Sequence, residues 1–363
     1  MDNLKAKQKR TNIFTTTDSG LAVMLALIIP QILIYVVAFI CSKATGLPFS
    51  SGDAEVKTFV NTYQIASILI SALVPQISFL AVFVFLAERR KVNYKTCVGF
   101  DFKINIWILL TTLLVGLVAM FGFTALINMF DYLTYTWGYQ SHLQIDVSTV
   151  PKLLLAILYV GLLPAICEEL VFRGIATNGL KKYGMVTAVI ISAVFFALIH
   201  QNLQQLIYQL FLGGVLAFIM LKTGSIVYTM SLHFFNNATI LVMSHISKEG
   251  AVDYSDPKYA EYYSNAWNAI WPILVAIVAI GAVIGLLFLI NYLQNKKQKL
   301  QTAKVEIDEA TLAEQKKDEE IAGVELEQKQ LFPDKKFYQN PVIISALVVS
   351  LAFWIYAIIS SFK

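Results

Sequence analysis

The chain has 363 residues, of which 57% are hydrophobic and 14% are charged, and its mean hydropathy is +0.64. This composition excludes an ordinary soluble protein and predicts a polytopic α-helical membrane protein. The formal net charge is only +4, so the positions of the lysines and arginines matter more than their number. We expect a lipid bilayer around the protein, the plasma membrane if the chain is bacterial, and no nucleic-acid partner.

The apolar segments, taken in chain order, predict an all-α bundle of about eight to nine membrane spans with a charged insert. The chain divides into a cytoplasmic tail at 1–19, N-terminal membrane helices at 20–149, a core of spans at 150–245, an eighth membrane region at 246–293, a charged cytoplasmic linker at 294–340 and a last span at 341–363. The linker is rich in lysine, glutamate, aspartate and glutamine, which favours a solvated helix or a flexible segment.

Clustered basic residues predict the orientation of the bundle. They occur at 5–10, 89–95, 181–182 and 296–299. With nine spans and a cytoplasmic N-terminus, all four clusters fall on the cytoplasmic side and the C-terminus lies outside. The loop predicted at 131–149 has no lysine or arginine and is rich in aromatic residues, which is typical of an outer membrane interface.

The apolar segment at 152–182 is longer than a membrane span requires. A helix of about thirty residues measures about 45 Å, whereas the hydrocarbon core of a bilayer is roughly 30 Å thick. We therefore expect a break in the helix at Pro164, with part of the helix protruding from the membrane.

Two adjacent glutamates and an arginine lie inside this apolar segment. A charge in the hydrocarbon core costs at least about 2.5–3.5 kcal/mol, so we expect each of these charges to be paired, hydrated or required for function. On a helix, Glu169 and Arg173 are four residues apart and can form an ion pair, whereas Glu168 lies about 100° away without a local partner. Glu168 is therefore the functional candidate, with the ion pair as its support. A purely structural ion-pair cluster is the alternative.

Two histidines and an asparagine reach a depth similar to that of Glu168. His200 closes the predicted fifth span, and His233 and Asn237 are four residues apart on one face of the seventh. Measured from the neighbouring turns, these groups lie roughly 15–26 Å along their helices. A carboxylate with two imidazoles is suited to deprotonating a water molecule and stabilising an oxyanion.

Three short motifs thus follow one another on successive predicted helices: Glu168-Glu169-x-x-x-Arg173, Phe196-x-x-x-His200 and His233-x-x-x-Asn237. In this order they resemble the CAAX-protease and bacteriocin-processing (CPBP, or Abi) family. Its members are intramembrane glutamate-dependent endopeptidases related to the type II CAAX prenyl endopeptidases. The resemblance covers roughly residues 150–245.

The resemblance implies a role for each motif residue. Glu168 would activate the hydrolytic water with help from His200, and His233 and Asn237 would bind the developing oxyanion or a metal ion. The ion pair of Glu169 with Arg173 would support the site. The expected activity is hydrolysis of peptide bonds in membrane-embedded, membrane-associated or lipidated proteins or peptides.

Two other functions remain open from the sequence. A non-catalytic relative would act as a membrane scaffold or as an immunity protein against a peptide toxin. A proton-coupled transporter would use Glu168 and the histidines as a relay. Other protease chemistries find little support, because the chain has neither a His-Glu-x-x-His helix nor a Gly-x-Ser-x-Gly turn.

The sequence also leaves open whether the site uses a metal. Glu168, His200 and His233 are the three residues that could bind zinc or another divalent ion while leaving a position for water. Asn237 favours a metal-free site, because an amide is a poor zinc ligand but a good donor to an oxyanion. The sequence shows no second carboxylate to orient the histidines, as metal sites usually have. We therefore expect no required cofactor.

Overall fold

The computed structural model describes residues 13–46, 64–93, 97–100, 104–139, 145–247, 252–315 and 337–362. The basic residues at 5–10 and the charged segment beyond residue 315 lie outside these ranges. Within them the chain is almost entirely helical, with one isolated bridge between Tyr139 and Phe362, and the predicted all-α fold class is confirmed.

The described chain forms ten helices, numbered here in chain order. They are α1 Thr16–Thr45, α2 Gln64–Arg90, α3 Ile106–Thr136, α4 Val150–Tyr183, α5 Met185–Ile199, α6 Leu203–Thr223, α7 Ile226–Ser247, α8 Pro257–Ser264, α9 Ala266–Gln315 and α10 Pro341–Ser360. Eight of these described helices are long and apolar enough to cross a membrane, all except α5 and α8. The span count therefore agrees with the prediction.

Asparagine side chains fix where several of these helices begin. Asn105, Asn202 and Asn340 each precede a helix and accept hydrogen bonds from two backbone amides of its first turn. Such caps satisfy amide groups that have no partner inside the helix. The helix α6 ends at Gly224, whose φ of +66° is the left-handed conformation that glycine adopts easily.

One end of the bundle carries most of the basic side chains, and we call it the basic end. It comprises Arg89, Arg90, Lys91, Lys181, Lys182, Lys222 and Lys296. Contacts between helices bring these regions together. Arg90 forms an ion pair of 2.8 Å with the buried Asp18, and Asn178 at the end of α4 donates to the Cys97 carbonyl at 3.1 Å.

Aromatic residues lie at the opposite end, which we call the aromatic end. It comprises Tyr132, Tyr135, Tyr139, Tyr254, Tyr259 and Tyr263. The rings of Tyr132 and Tyr263 stack at 4.6 Å, and the Tyr139 hydroxyl lies 3.3 Å from Oδ1 of Asn202 in the turn before α6. The short helix α5 therefore runs from the basic end to the aromatic end, as the ninth crossing of the bundle.

The predicted aromatic loop begins later than expected. Asp131 and the five residues after it are helical, because α3 continues to Thr136. The Thr134 hydroxyl donates to the Asp131 carbonyl at 2.9 Å in the last turns of the helix. Asp131 is consequently held on a helix rather than in a loop.

The predicted break of α4 at Pro164 is wrong. The helix is continuous from Val150 to Tyr183, with π-helical turns at Ile157–Leu162 and Leu170–Thr177 on either side of the segment Leu163–Glu169. Proline lacks an amide hydrogen and its ring collides with the carbonyl four residues earlier, which here belongs to Val160. The wider π-turn accommodates the ring without ending the helix.

The helix α4 lies at the centre of the fold. Its side chains Phe172, Ile175 and Leu180 are fully buried in a core shared with α1, α2 and α5. Gly213 of α6 lies so close to α5 that an added Cβ would meet Cβ of Phe196 at 3.1 Å. The absence of a side chain at Gly213 therefore allows α5 and α6 to approach closely.

Candidate active site

A cavity of about 460 Å³ lies between α3, α4, α6 and α7 and the turn that follows α5. Its polar lining consists of Asp131, Glu168, His200, Asn202, Gln204, Gln205, Tyr208, Gln209, His233, Asn236 and Asn237. All four predicted catalytic residues, Glu168, His200, His233 and Asn237, thus face one cavity. It extends toward the aromatic end, where Asn202 contacts Tyr139.

Glu168 brings to this cavity a carboxylate that forms no ion pair with any described lysine, arginine or histidine. The side chain is 9% exposed, and its Oε1 lies 3.4 Å from Nε2 of Gln76 on α2. Its Oε2 is buried and accepts no hydrogen bond from any described residue. Burying a carboxylate with so few hydrogen-bond partners costs free energy, and such an arrangement is typical of a catalytic group.

Glu169 faces the protein interior instead. The ion pair predicted from the spacing is present, because Nη1 of Arg173 lies 2.9 Å from Oε1 of Glu169 and both side chains are fully buried. The same Oε1 accepts a hydrogen bond of 2.9 Å from Nδ1 of His233. The Glu169 carboxylate therefore bonds to Arg173 within α4 and also to His233 on α7.

Arg173 extends this connection to two further helices. Its Nη2 donates to the carbonyl oxygen of Gly213 on α6 at 3.2 Å, and its guanidinium lies 4.3 Å from the ring centroid of Phe196 on α5. A guanidinium over an aromatic face gains a cation–π interaction, which strengthens where water is excluded. These contacts account for a fully buried arginine inside an apolar bundle.

Both histidines have a defined tautomer. Nδ1 of His200 lies 2.7 Å from the carbonyl oxygen of Phe196, and Nδ1 of His233 faces the Glu169 carboxylate. A carbonyl or a carboxylate can only accept, so each Nδ1 carries a proton and the neutral ring has its lone pair on Nε2. Each imidazole can then receive a proton at Nε2.

The expectation that no second carboxylate orients the histidines is wrong. Glu169 accepts a hydrogen bond from Nδ1 of His233. Metal-binding histidines usually donate a hydrogen bond to a carboxylate in the same way. In the described part of the chain, however, no group of three or more His, Cys, Asp or Glu side chains is arranged to hold a metal ion. Glu168, His200 and His233 share the cavity without forming such a group.

Asn237 has a structural partner as well as a place in the cavity. Its Nδ2 donates to the carbonyl oxygen of Val160 at 3.0 Å. This is the carbonyl that the amide of residue 164 would bond to in a regular helix, and Pro164 has no amide hydrogen. One of the two amide hydrogens of Asn237 therefore compensates for the proline in α4.

Several polar residues of the site were not predicted, and three of them bond to one another or to predicted site residues. Tyr208 on α6 donates its hydroxyl to Oδ1 of Asn236, whose Nδ2 donates to Oδ1 of Asn237 at 3.1 Å. Gln76 contacts Glu168. Their signal in the sequence was weak but present, since each is a polar side chain inside an apolar membrane segment.

The fold and the cavity define a polytopic membrane protein that gathers carboxylate and imidazole groups between its spans. Residues 150–239 match the model of the type II CAAX prenyl endopeptidase Rce1-like family. This match supports the CPBP, or CAAX-protease, family assignment and contains all seven motif residues. No curated protein and no solved structure matches the chain.

The match over residues 150–239 supports a CAAX-protease type of protein in general. Members of this family are intramembrane endopeptidases that act on peptide substrates within a lipid bilayer. The eight apolar helices of the described chain agree with a multi-pass membrane location. The matched segment covers α4 to α7, whereas Gln76 and Asp131 lie outside it.

Proposed function

We propose that the protein hydrolyses peptide bonds within the membrane by means of a water molecule that Glu168 activates. One observation carries this proposal: Glu168 forms no ion pair with any described residue and lines the same cavity as two histidines whose Nδ1 atoms, not their Nε2 atoms, make the hydrogen bonds. A general base requires a proton acceptor that is not already bonded, next to the position of the water.

The proposed reaction uses Glu168 and His200 together. The carboxylate takes a proton from water, while Nε2 of His200 orients the same water molecule. The water oxygen forms a bond to the carbonyl carbon of the scissile peptide, and the carbon–nitrogen bond then breaks. The proton on Glu168 passes to the leaving nitrogen, which completes an amine and a carboxylic acid.

The oxyanion formed on the carbonyl oxygen needs hydrogen-bond donors. Asn237 keeps one amide hydrogen after its bond to Val160. His233 donates through Nε2 only when its ring carries a second proton, and the Glu169 carboxylate on Nδ1 compensates that charge. These two donors lie four residues apart on α7 and line the same cavity.

The proposed function is tested by the Glu168→Gln variant, which keeps the shape of the side chain and removes its basicity. Mass spectrometry of protein N-termini in membranes from wild-type and variant cells identifies peptides that only the wild type cleaves. Those substrates are then assayed with the purified full-length protein in nanodiscs. We expect a loss of at least about 100-fold in turnover, the scale of general-base catalysis.

The matched control is Glu88→Gln, at an exposed position at the end of α2. It should leave cleavage unchanged. Full cleavage by purified Glu168→Gln would exclude Glu168 as the general base. The absence of any peptide cleaved by the wild type but not by the variant would favour a scaffold, an immunity protein or a transporter instead.

We also propose that no metal is required, so wild-type turnover should survive exhaustive chelation and the purified protein should hold no stoichiometric zinc. Loss of activity on chelation with recovery by zinc would overturn the metal-free mechanism.

We further propose the orientation and the substrate class. A cytoplasmic N-terminus is supported by the many basic side chains at the basic end, compared with Lys43, Lys152 and Lys258 as the described lysines near the aromatic end. The substrates would be membrane-embedded or lipidated peptides or proteins. Their cleavage site lies at the depth of Glu168 in the bundle.

A further inference from the structure

Asp131 is a second carboxylate in the cavity, and the proposed reaction does not use it. It lies near the end of α3, on the opposite side of the cavity from α4. Its Oδ1 is buried and accepts no hydrogen bond from any described residue. The end of a helix that carries the negative pole of its dipole offers an aspartate no stabilisation.

No described donor lies within hydrogen-bond distance of Oδ1 of Asp131, although Tyr254 and Tyr263 lie near enough to interact with its charge. Gln209 of α6 lines the same cavity, and its Oε1 is also buried without a partner among the described residues. The side chain of Gln204 uses its Nε2 to contact the Thr134 hydroxyl at 3.4 Å. Asp131 and Gln209 thus both line the cavity, and each has an oxygen that accepts no hydrogen bond from a described residue.

No lysine or arginine is present among the described residues that line the cavity. A buried carboxylate usually has a cationic partner, because an uncompensated charge in low dielectric is costly. The part of the protein described by the structure does not provide one to Asp131. A ligand with a positive charge and several donor hydrogens would satisfy both Asp131 and Gln209.

We propose that Asp131 and Gln209 form a subsite for a cationic side chain, lysine or arginine, of the peptide substrate. An ammonium group has three donors and a guanidinium has five, so either one can bond to both acceptors. The cavity volume of about 460 Å³ falls in the roughly 300–1,000 Å³ range of small-molecule sites, so it holds a few side chains. Because this subsite shares the cavity with Glu168, the inference rests on the proposed function and specifies its substrate class.

The test uses fluorescence-quenched nonapeptides with acetylated N-termini and the full-length protein in nanodiscs. At one position at a time the peptides carry lysine, norleucine, glutamine or glutamate. Norleucine has nearly the same shape as lysine without the charge. We expect the wild type to prefer lysine at one fixed position relative to the scissile bond, by about 10-fold or more in kcat/KM.

The Asp131→Asn variant should lose this preference, so that its kcat/KM values for lysine and norleucine peptides differ by less than about twofold. Asp131→Glu should retain most of it. The matched control Asp146→Asn removes an exposed aspartate that pairs with Lys152, and it should not alter the preference. A wild type without a lysine preference, or an Asp131→Asn variant that keeps it, would overturn the proposal. Preference for a free N-terminus on norleucine peptides would assign the subsite to an α-amine instead.

A binding measurement separates this inference from the proposed function. Fluorescence polarisation of the same peptides, with the Glu168→Gln protein and with its Asp131→Asn double variant, requires no cleavage. Lysine-selective binding that depends on Asp131, together with a wild type that cleaves none of the peptides, would support the subsite and reject the protease. Cleavage without lysine-selective binding would support the protease and reject the subsite. Melting temperatures of all variants show whether a loss reflects misfolding.

Discussion

Two adjacent carboxylates in α4 have opposite surroundings. Glu169 is fully buried and its Oε1 binds Arg173 and His233, whereas Glu168 lines the cavity and contacts Gln76 at 3.4 Å. The Oε2 atom of each glutamate accepts no hydrogen bond from a described residue. The difference arises because neighbouring residues on a helix point about 100° apart. A helix can therefore hold one charge as a structural element and present the next one to a substrate.

Asn237 has two separable contributions at the residue scale. Its bond to the Val160 carbonyl stabilises α4 next to a proline, and its remaining amide hydrogen is available to the substrate. Loss of activity in an Asn237 variant would therefore not by itself prove a role in the reaction. A double-mutant cycle with Pro164 distinguishes the two contributions.

We predict that Asn237→Ala destabilises the protein by about 1–3 kcal/mol, because it leaves a buried carbonyl without its donor. In a Pro164→Ala background the backbone regains an amide hydrogen near Val160, and the cost of Asn237→Ala should fall by about 1 kcal/mol. Denaturant titrations in detergent micelles measure both costs. Turnover should stay low in the double variant if the second hydrogen binds the oxyanion.

The control for this cycle is Thr239→Ala, which removes a hydroxyl that bonds to the Phe235 carbonyl within α7. Its cost should be the same in both backgrounds. Equal costs of Asn237→Ala with and without Pro164 would show that the amide does not compensate for the proline.

At the scale of elements, α4 depends on its π-helical turns. Such turns leave carbonyl groups in irregular positions, and side chains of the same helix bond to several of them. The Thr177 hydroxyl donates to the Phe172 carbonyl at 2.9 Å, and Nδ2 of Asn178 lies 3.1 Å from the carbonyls of Arg173 and Gly174. The irregular helix is therefore stabilised locally as well as by its neighbours.

The helices around α4 are held together by Arg173, which contacts α5 and α6 while its partner Glu169 contacts α7. We predict that Arg173→Ala lowers folded yield and melting temperature, with a cost of about 3–5 kcal/mol, because Glu169 keeps its charge in a low dielectric. Removal of both charges in Glu169→Gln with Arg173→Met should cost less than the single substitution. Size-exclusion yield and thermal unfolding in detergent measure these effects.

A different result would change the role of Arg173. If Arg173→Ala keeps normal yield and melting temperature but loses turnover, the arginine takes part in the reaction rather than in assembly. Lys182→Ala, at the basic end and outside the cavity, serves as the control for loss of a cation from the end of α4.

The sequence predicted the helices and the motif residues better than the contacts between residues on different helices. Long apolar segments determine spans because hydrophobic length dominates in a bilayer, and four-residue spacing determines the pair of Glu169 with Arg173. The bond between Glu169 and His233 joins residues 64 positions apart, so local spacing cannot reveal it. The π-turns around Pro164 were missed for a similar reason, since their stability involves Asn237 on another helix.

At the scale of the whole molecule, the basic end and the cavity lie toward opposite ends of the bundle. Glu168 is fifteen residues from Tyr183 at the basic end, about 22 Å along a helix. The cavity extends from there to Asn202 and Gln204, which contact Tyr139 and Thr134 at the aromatic end. With a cytoplasmic basic end, the cavity faces the outer half of the membrane.

We predict that a membrane-impermeant thiol reagent reaches this cavity from outside intact cells. A variant without its three native cysteines but with Gln205→Cys should react in intact cells, because Gln205 lines the cavity near the aromatic end. The matched Lys182→Cys variant should react only after permeabilisation. Reversed labelling of the two variants would place the N-terminus outside.

The position of the cavity limits which substrates can enter it. A prenylated C-terminus is made in the cytoplasm and would have to pass the basic end and the packed core around Phe172 to reach Glu168. A peptide that has already been exported, or one whose tail emerges on the outer side, meets no such barrier. In this orientation the protein would act on chains after their translocation and release the outer fragment into the extracellular space.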